Sequence, residues 1–229
     1  MTAEEYFKDW AKVINTKEVE ALVKKATLTK ETLCPSIKDI FKAFELCSFK
    51  DLRLVILGQD PYNNLIDGKP VATGIAFANR KETLEDDLSP SLKVLRKSII
   101  DFSLPHGRIN FDPSLEKWEK QGVLMLNSAL TCLAGKPGSH SLLWVDFIRN
   151  LLIGLSKHHT GIVYVLMGNQ AKSFEACINK NFNHIVKVQH PAWFARTGME
   201  FPRYLWKEVN DILIGQNGYG INWYEETEY

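Results

Sequence analysis

Leu52-Arg53-Leu54-Val55-Ile56-Leu57-Gly58-Gln59-Asp60-Pro61-Tyr62-Asn63 is the stretch on which the fold turns. Leu52 to Leu57 is a short, almost unbroken apolar run that stops at a glycine. So short a run reads as a buried strand, and Gly58 to Lys69 as the loop it enters. Asp60 stands before Pro61, whose ring pushes the preceding residue out of helical backbone. Its carboxylate is thereby held at the loop mouth, where it can orient a water or stabilise a cation.

The same unit recurs outward from this stretch. Val123 to Asn127 is an apolar strand ending in an amide, Ile162 to Met167 ends at Gly168, and Ile185 to Val188 runs into His190. Gly74 to Ala78 reads as a further short strand. Between these lie helical patterns: Glu5 to Val23, Ile37 to Cys47, Ser91 to Ile100, Leu115 to Gln121, Trp144 to Lys157, Gln170 to Lys180 and Tyr204 to Ile214. Ser89 is a fitting cap for the third, with Pro90 in its first turn. Strands alternating with helices predict an α/β fold with a mostly parallel sheet. Ligands of such folds sit beyond the carboxyl ends of the strands. The loops Gly58–Asn64, Asn127–Thr131, Gly168–Ala171 and His190–Gly198 should therefore share one rim.

The chain has 229 residues, 45% hydrophobic and 24% charged, which is the balance of an ordinary globular protein. It shows no repeat, low-complexity tract or Ser/Gly linker, so residues 1–229 read as one domain. A net charge of +1 and a pI near 7.7 do not by themselves suggest a nucleic-acid partner. Cys34, Cys47, Cys132 and Cys177 are widely spaced, the pattern of reduced, buried thiols. The first ten residues are charged, and no secretory or membrane segment is evident. A cytoplasmic, monomeric protein without a membrane partner is the expectation. His106, His140, His158, His159 and His184 show no metal-ligand spacing.

Taken singly, the polar groups on the rim have bland readings. Asp60 could be an Asp-Pro turn, Asn127 a buried amide closing a turn, His190 a structural imidazole and Phe77 a core aromatic. Their shared placement gives them weight together. A carboxylate, an amide with one acceptor and two donors, a neutral imidazole and a flat ring suit recognition and cleavage of a planar amide-like ligand.

These residues resemble the family 1 uracil-DNA glycosylases. Gly58-Gln59-Asp60-Pro61-Tyr62 is similar to the family's water-activating loop, and Phe77 stands where the family stacks uracil. Ser89-Pro90-Ser91-Leu92 looks like its DNA-backbone loop, and Gln121 to Asn127 like its uracil-recognition strand. Gly138-Ser139-His140 with Trp144, and Leu166 to Ala171, also match, and His190-Pro191 begins the loop that enters the minor groove. The similarity runs from about Trp10 to Trp223.

The resemblance implies a central, mostly parallel four-stranded sheet flanked by helices. It also implies an enzyme that flips uracil out of single- or double-stranded DNA and hydrolyses its N-glycosidic bond, beginning base excision repair, with no metal or cofactor. By the same resemblance Asp60 and His190 are catalytic, while Gln59, Tyr62, Phe77 and Asn127 bind uracil. Ser89, Pro90, Ser91, Gly168, Asn169, Ala192 and Phe194 contact DNA, Phe194 as the wedge that fills the vacated stack. A proteinaceous inhibitor or a replication factor is the further kind of partner it admits.

The chain departs from the family in places. Asn63 replaces the usual His, Asn169 a Ser, and Ala192-Trp193-Phe194-Ala195 the usual Ser-Pro-Leu-Ser. Two other functions compete: a non-catalytic DNA-binding protein on the same scaffold, and a nucleotide-binding α/β hydrolase. The second would need a phosphate-cradling Gly motif that the chain lacks. A glycosylase for another modified uracil also stays open.

Overall fold

The computed structural model describes residues 2–103 and 109–226; His106 lies outside them. Four strands form the central sheet: β1 (Leu54–Gly58), β2 (Val123–Asn127), β3 (Val163–Met167) and β4 (His184–Val188). All neighbours are parallel, in the order β2-β1-β3-β4. The α/β class expected from alternating strands and helices is the one observed.

Successive residues of a strand point to opposite faces, and here both faces are covered. Val55, Leu57, Leu124, Leu126, Tyr164 and Leu166 join one cluster with helices α1 (Thr16–Ala26) and α3 (Ser141–His158). Leu54, Ile56, Val123, Met125, Val163 and Val165 join the other. That cluster packs on α2 (Pro90–Ser103), α4 (Pro191–Thr197) and α5 (Leu205–Asn217). Burial on both sides explains why each strand is a continuous apolar run rather than an alternating one.

The structure corrects five local expectations, one of them at Ile37 to Cys47, which is a 3-10 turn at Ile37–Asp39 and a short helix at Lys42–Leu46 rather than one helix. The helix expected over Glu5 to Val23 is broken into Ala3–Phe7, a 3-10 turn at Lys8–Lys12, and α1. Asn15 starts α1 afresh, its side chain accepting from the Lys17 and Glu18 N–H groups. Gly74 to Ala78 is not a strand, because Gly74 (φ 86°) and Phe77 (φ 66°) take the left-handed backbone, which ends any ladder. The segment still touches the sheet, Ala76 N–H donating to the Met125 carbonyl at 3.1 Å. Gln170 to Lys180 is a short helical turn, Asn169–Lys172, followed by a 3-10 turn at Glu175–Cys177. His190 to Gly198, expected as a loop, is mostly the helix α4, with Pro191 in its first turn and Gly198 (φ 68°) ending it.

Candidate active site

A cleft of about 190 Å³ opens beyond the carboxyl ends of β1, β2 and β4. Asp60, Tyr62, Phe77, Ser91, Asn127, His190 and Ala192 all line it. Separate stretches of the sequence therefore converge as the parallel-sheet argument requires.

Asn127 ends β2 and pairs in register with Gly58 at the end of β1. The missing side chain at Gly58 lets Asn127 and Phe77 come close together. A Cβ there would lie 2.6 Å from Asn127 Oδ1 and 2.9 Å from the Phe77 ring. Phe77 approaches by its left-handed turn, a costly conformation for a bulky residue that concentrates at functional positions. Its carbonyl accepts the Tyr62 hydroxyl at 2.8 Å, which ties the two aromatic walls together.

Asp60 is fixed by a residue far away in the chain. Gly138 N–H donates to its Oδ2 at 2.7 Å. Burial raises the Asp60 carboxyl above its ordinary value, and the Gly138 N–H opposes that rise by stabilising the anion. The carboxylate is thus anchored from Gly138 while Asp60 lines the cleft.

His190 sits two residues beyond β4 and caps α4. Its Nδ1 accepts from the Ala192 N–H at 3.1 Å, so the proton of the neutral ring is on Nε2. Gly168 (φ 92°) packs against the other side, where a Cβ would meet His190 Cβ at 2.9 Å. Phe77 lies 5.5 Å away, centroid to centroid. Burial, helped by Arg196, pulls the imidazole down from 6.5 to about 4. The ring is neutral at physiological pH and presents a single N–H donor to the cleft.

These shifts set an expected pH dependence. Activity that needs an ionised Asp60 and a neutral His190 is lost only on acidification. kcat/KM should therefore show no inflection at the ordinary imidazole value of 6.5, and its His190 limb should lie near pH 4. Stability follows the same sign. Between 4 and 6.5 the unfolded imidazole binds more protons than the folded one, so His190 lowers stability as pH falls through that window. A limb near 6.5 that disappears in His190→Gln would overturn this placement of the ring.

Some expected site residues lie elsewhere. Gln59 is half-buried and not part of the cleft lining, its carbonyl accepting the Ser128 hydroxyl at 2.8 Å and the Ala129 N–H at 3.0 Å. Ser89 is buried and bonded inward to Asn79, and Ser91 is the serine on the cleft. Pro90 and Asn169 are exposed beside the site. Phe194, expected as a free wedge, is only 7% exposed and packs edge-on against Trp193 and Phe201 at 4.9 and 5.1 Å. The helical turn of α4 rotates it into the core, and half-buried Trp193 occupies the surface instead. Gly138's role as the Asp60 anchor is legible only in three dimensions.

Known proteins share the family and the fold of the chain. The model of the Uracil DNA glycosylase superfamily matches residues 44–213. A uracil-DNA glycosylase of Amoebophilus asiaticus is 36% identical over 200 residues, 87% of this chain and 87% of that protein. The crystal structure of mimivirus uracil-DNA glycosylase, 20% identical, superposes with a TM-score of 0.75 over 97% of this chain and 93% of that one. A mimivirus UNG variant solved in complex with UGI, also 20% identical, gives 0.77 over 97% and 88%. The chain belongs to the uracil-DNA glycosylase superfamily.

Proposed function

We infer that the chain is a family 1 uracil-DNA glycosylase, which removes uracil from DNA by hydrolysing its N-glycosyl bond. The observation that carries this reading is the meeting of Asp60, Asn127, Phe77, Tyr62 and a neutral, Nε2-protonated His190 in one cleft.

The chemistry follows from those groups. Uracil must leave the stack, at a cost of a few kcal/mol. Phe77 stacks on it, and the Asn127 amide pairs with its O4 and N3–H edge. Cytosine reverses that donor and acceptor pattern and would leave buried groups unpaired. Tyr62 closes the space at C5. As the bond from the sugar carbon to N1 breaks, its electron pair leaves with uracil. His190 Nε2–H donates to the developing anion at O2, a stabilisation worth most in a water-poor site. Asp60 stabilises the oxocarbenium-like sugar, orients the attacking water and takes up its proton. The test is release of free uracil from a uracil-containing oligonucleotide beside a thymine control. No uracil release by folded protein would overturn the reading.

The wedge in duplex DNA falls to a different residue from the one the motif suggests. Trp193, next to cleft-lining Ala192, is the large apolar side chain available to prop the stack open. Trp193→Ala should slow removal from duplex relative to single strands by about 10-fold, within the ~1–3 kcal/mol of base–aromatic stacking. Phe194→Ala should instead destabilise the fold by about 3–5 kcal/mol, as core Phe truncations do. An unchanged duplex to single-strand ratio in Trp193→Ala would remove it from the wedge role. A protein inhibitor seated on the DNA rim is the further partner we infer, and the shared fold with the UGI-bound mimivirus protein supports it.

A further inference from the structure

The turn that holds the Asp60 carboxylate is fastened by its own side chains. Gly138 N–H donates to Asp60 Oδ2 at 2.7 Å, and the Gly138 carbonyl accepts the Ser141 N–H at 3.0 Å. Gly138, Ser139, His140 and Ser141 thus close a tight turn at the head of α3. Gly138 opens it in the left-handed backbone (φ 73°). In so short a turn, the direction of the first N–H depends on how the other residues are held.

Both central residues reach back to the segment that follows β2. Ser139 Oγ accepts the Leu133 N–H at 2.8 Å. His140 Nδ1 lies 2.8 Å from the Thr131 hydroxyl oxygen. Thr131 is fully buried, and that oxygen also takes the Trp144 indole N–H at 2.7 Å. An indole N–H can only donate, and a buried hydroxyl proton needs an acceptor. His140 Nδ1 is the acceptor that the described residues offer it. The order is therefore Trp144 to Thr131 and Thr131 to His140, with the His140 proton on Nε2. The same excursion is tied to the Asp60 loop, Gly135 N–H donating to the Asn63 carbonyl at 2.8 Å.

We propose that Thr131 and His140 are positioning residues for bond cleavage, holding the Gly138 N–H on the Asp60 carboxylate through the 138–141 turn. The proposal rests on the reading of Asp60 given under Proposed function. Neither residue lines the cleft, so each acts only through the angle at which the carboxylate is presented.

Each position is tested by a pair of variants. Thr131→Val removes the hydroxyl and Thr131→Ser keeps it. His140→Leu removes the acceptor, whereas in His140→Asn the amide oxygen falls about where Nδ1 lay. On single-stranded DNA carrying uracil, Thr131→Val and His140→Leu should lower kcat about 10-fold at unchanged KM, equivalent to ~1.4 kcal/mol. Thr131→Ser and His140→Asn should recover most of that loss.

A second readout does not depend on turnover. The Asp60 carboxyl can be titrated by carbon-13 NMR, assigned by its loss in Asp60→Asn. Losing an N–H donor disfavours the anion, so the carboxyl should hold its proton about 10-fold more tightly in Thr131→Val than in Thr131→Ser, and in His140→Leu than in His140→Asn. A turn that is merely structural would change stability and leave this titration in place. The titratable groups around Asp60 are the Cys132 and Cys34 thiols and the Tyr62 phenol, all raised by burial, and His190 across the cleft. On the excursion itself, His140 is lowered by burial and Lys136 is paired with Glu31 at 2.5 Å. Only the two imidazoles gain charge as the carboxyl is titrated with acid. His140→Leu and His140→Asn both lack one and keep the other, so their difference isolates the hydrogen bond.

Should Thr131→Val not fold, with the Trp144 indole unpaired, the pair at half-exposed His140 decides both measurements. Equal kcat in folded His140→Leu and His140→Asn would overturn the positioning role and leave the function standing, whatever the titration shows. Absence of uracil removal by the wild type would overturn the function. Equal Asp60 titrations in the two His140 variants would then overturn the tether as well.

Discussion

Asp60→Asn should slow uracil removal by about 10²-fold or more, the scale of a positioned catalytic group, while DNA binding survives. The amide is nearly the same shape, so the Gly138 N–H at 2.7 Å can still be satisfied by the side-chain oxygen. What disappears is the negative charge facing the sugar cation and the ability to take a proton from water. Single-turnover kinetics separates these from binding. Near-normal chemistry in the variant would remove Asp60 from the mechanism.

Gly58→Ala should be about as damaging, although it adds a single carbon. That carbon would sit 2.6 Å from Asn127 Oδ1 and 2.9 Å from Phe77, so both recognition groups must move together. Displacement of such groups by about 1 Å can cost 10²-fold in rate. Gly215→Ala is the matched control, because a Cβ there meets nothing within 4 Å. Comparable activity of the two variants would show that the contact between Gly58, Asn127 and Phe77 is not part of the recognition wall.

The sheet was readable in the sequence because burial on both faces leaves no other pattern than short apolar runs. Val123 to Asn127 matches β2 residue for residue, and the other three strands differ only at their ends. The place of Asp60, Asn127 and His190 on the rim was readable too, since each ends or closely follows such a run. The helices near the site were harder. Pro191 looked like a loop starter, yet proline suits the first turn of a helix, and with His190 as its cap α4 forms directly after the strand. One consequence is the wedge. A sequence match puts Phe194 at the wedge position, but helical rotation decides which of two adjacent aromatics faces water. Ser89 illustrates the same limit. Its place in a DNA-loop motif says nothing of Asn79, ten residues earlier, which turns its hydroxyl inward.

The order β2-β1-β3-β4 has an implication for how selectivity could change over time. Asn127 hangs from edge strand β2, Asp60 from β1, and His190 from β4 at the opposite edge. Backbone hydrogen bonds hold neighbouring strands about 4.8 Å apart whatever their side chains. Asn127 and the pair Asp60 and His190, to which we assign base choice and bond breaking, are therefore mounted on different strands of a frame of constant pitch. A change at the end of β2 would alter the edge that Asn127 offers a base, with the strands that carry Asp60 and His190 left in place.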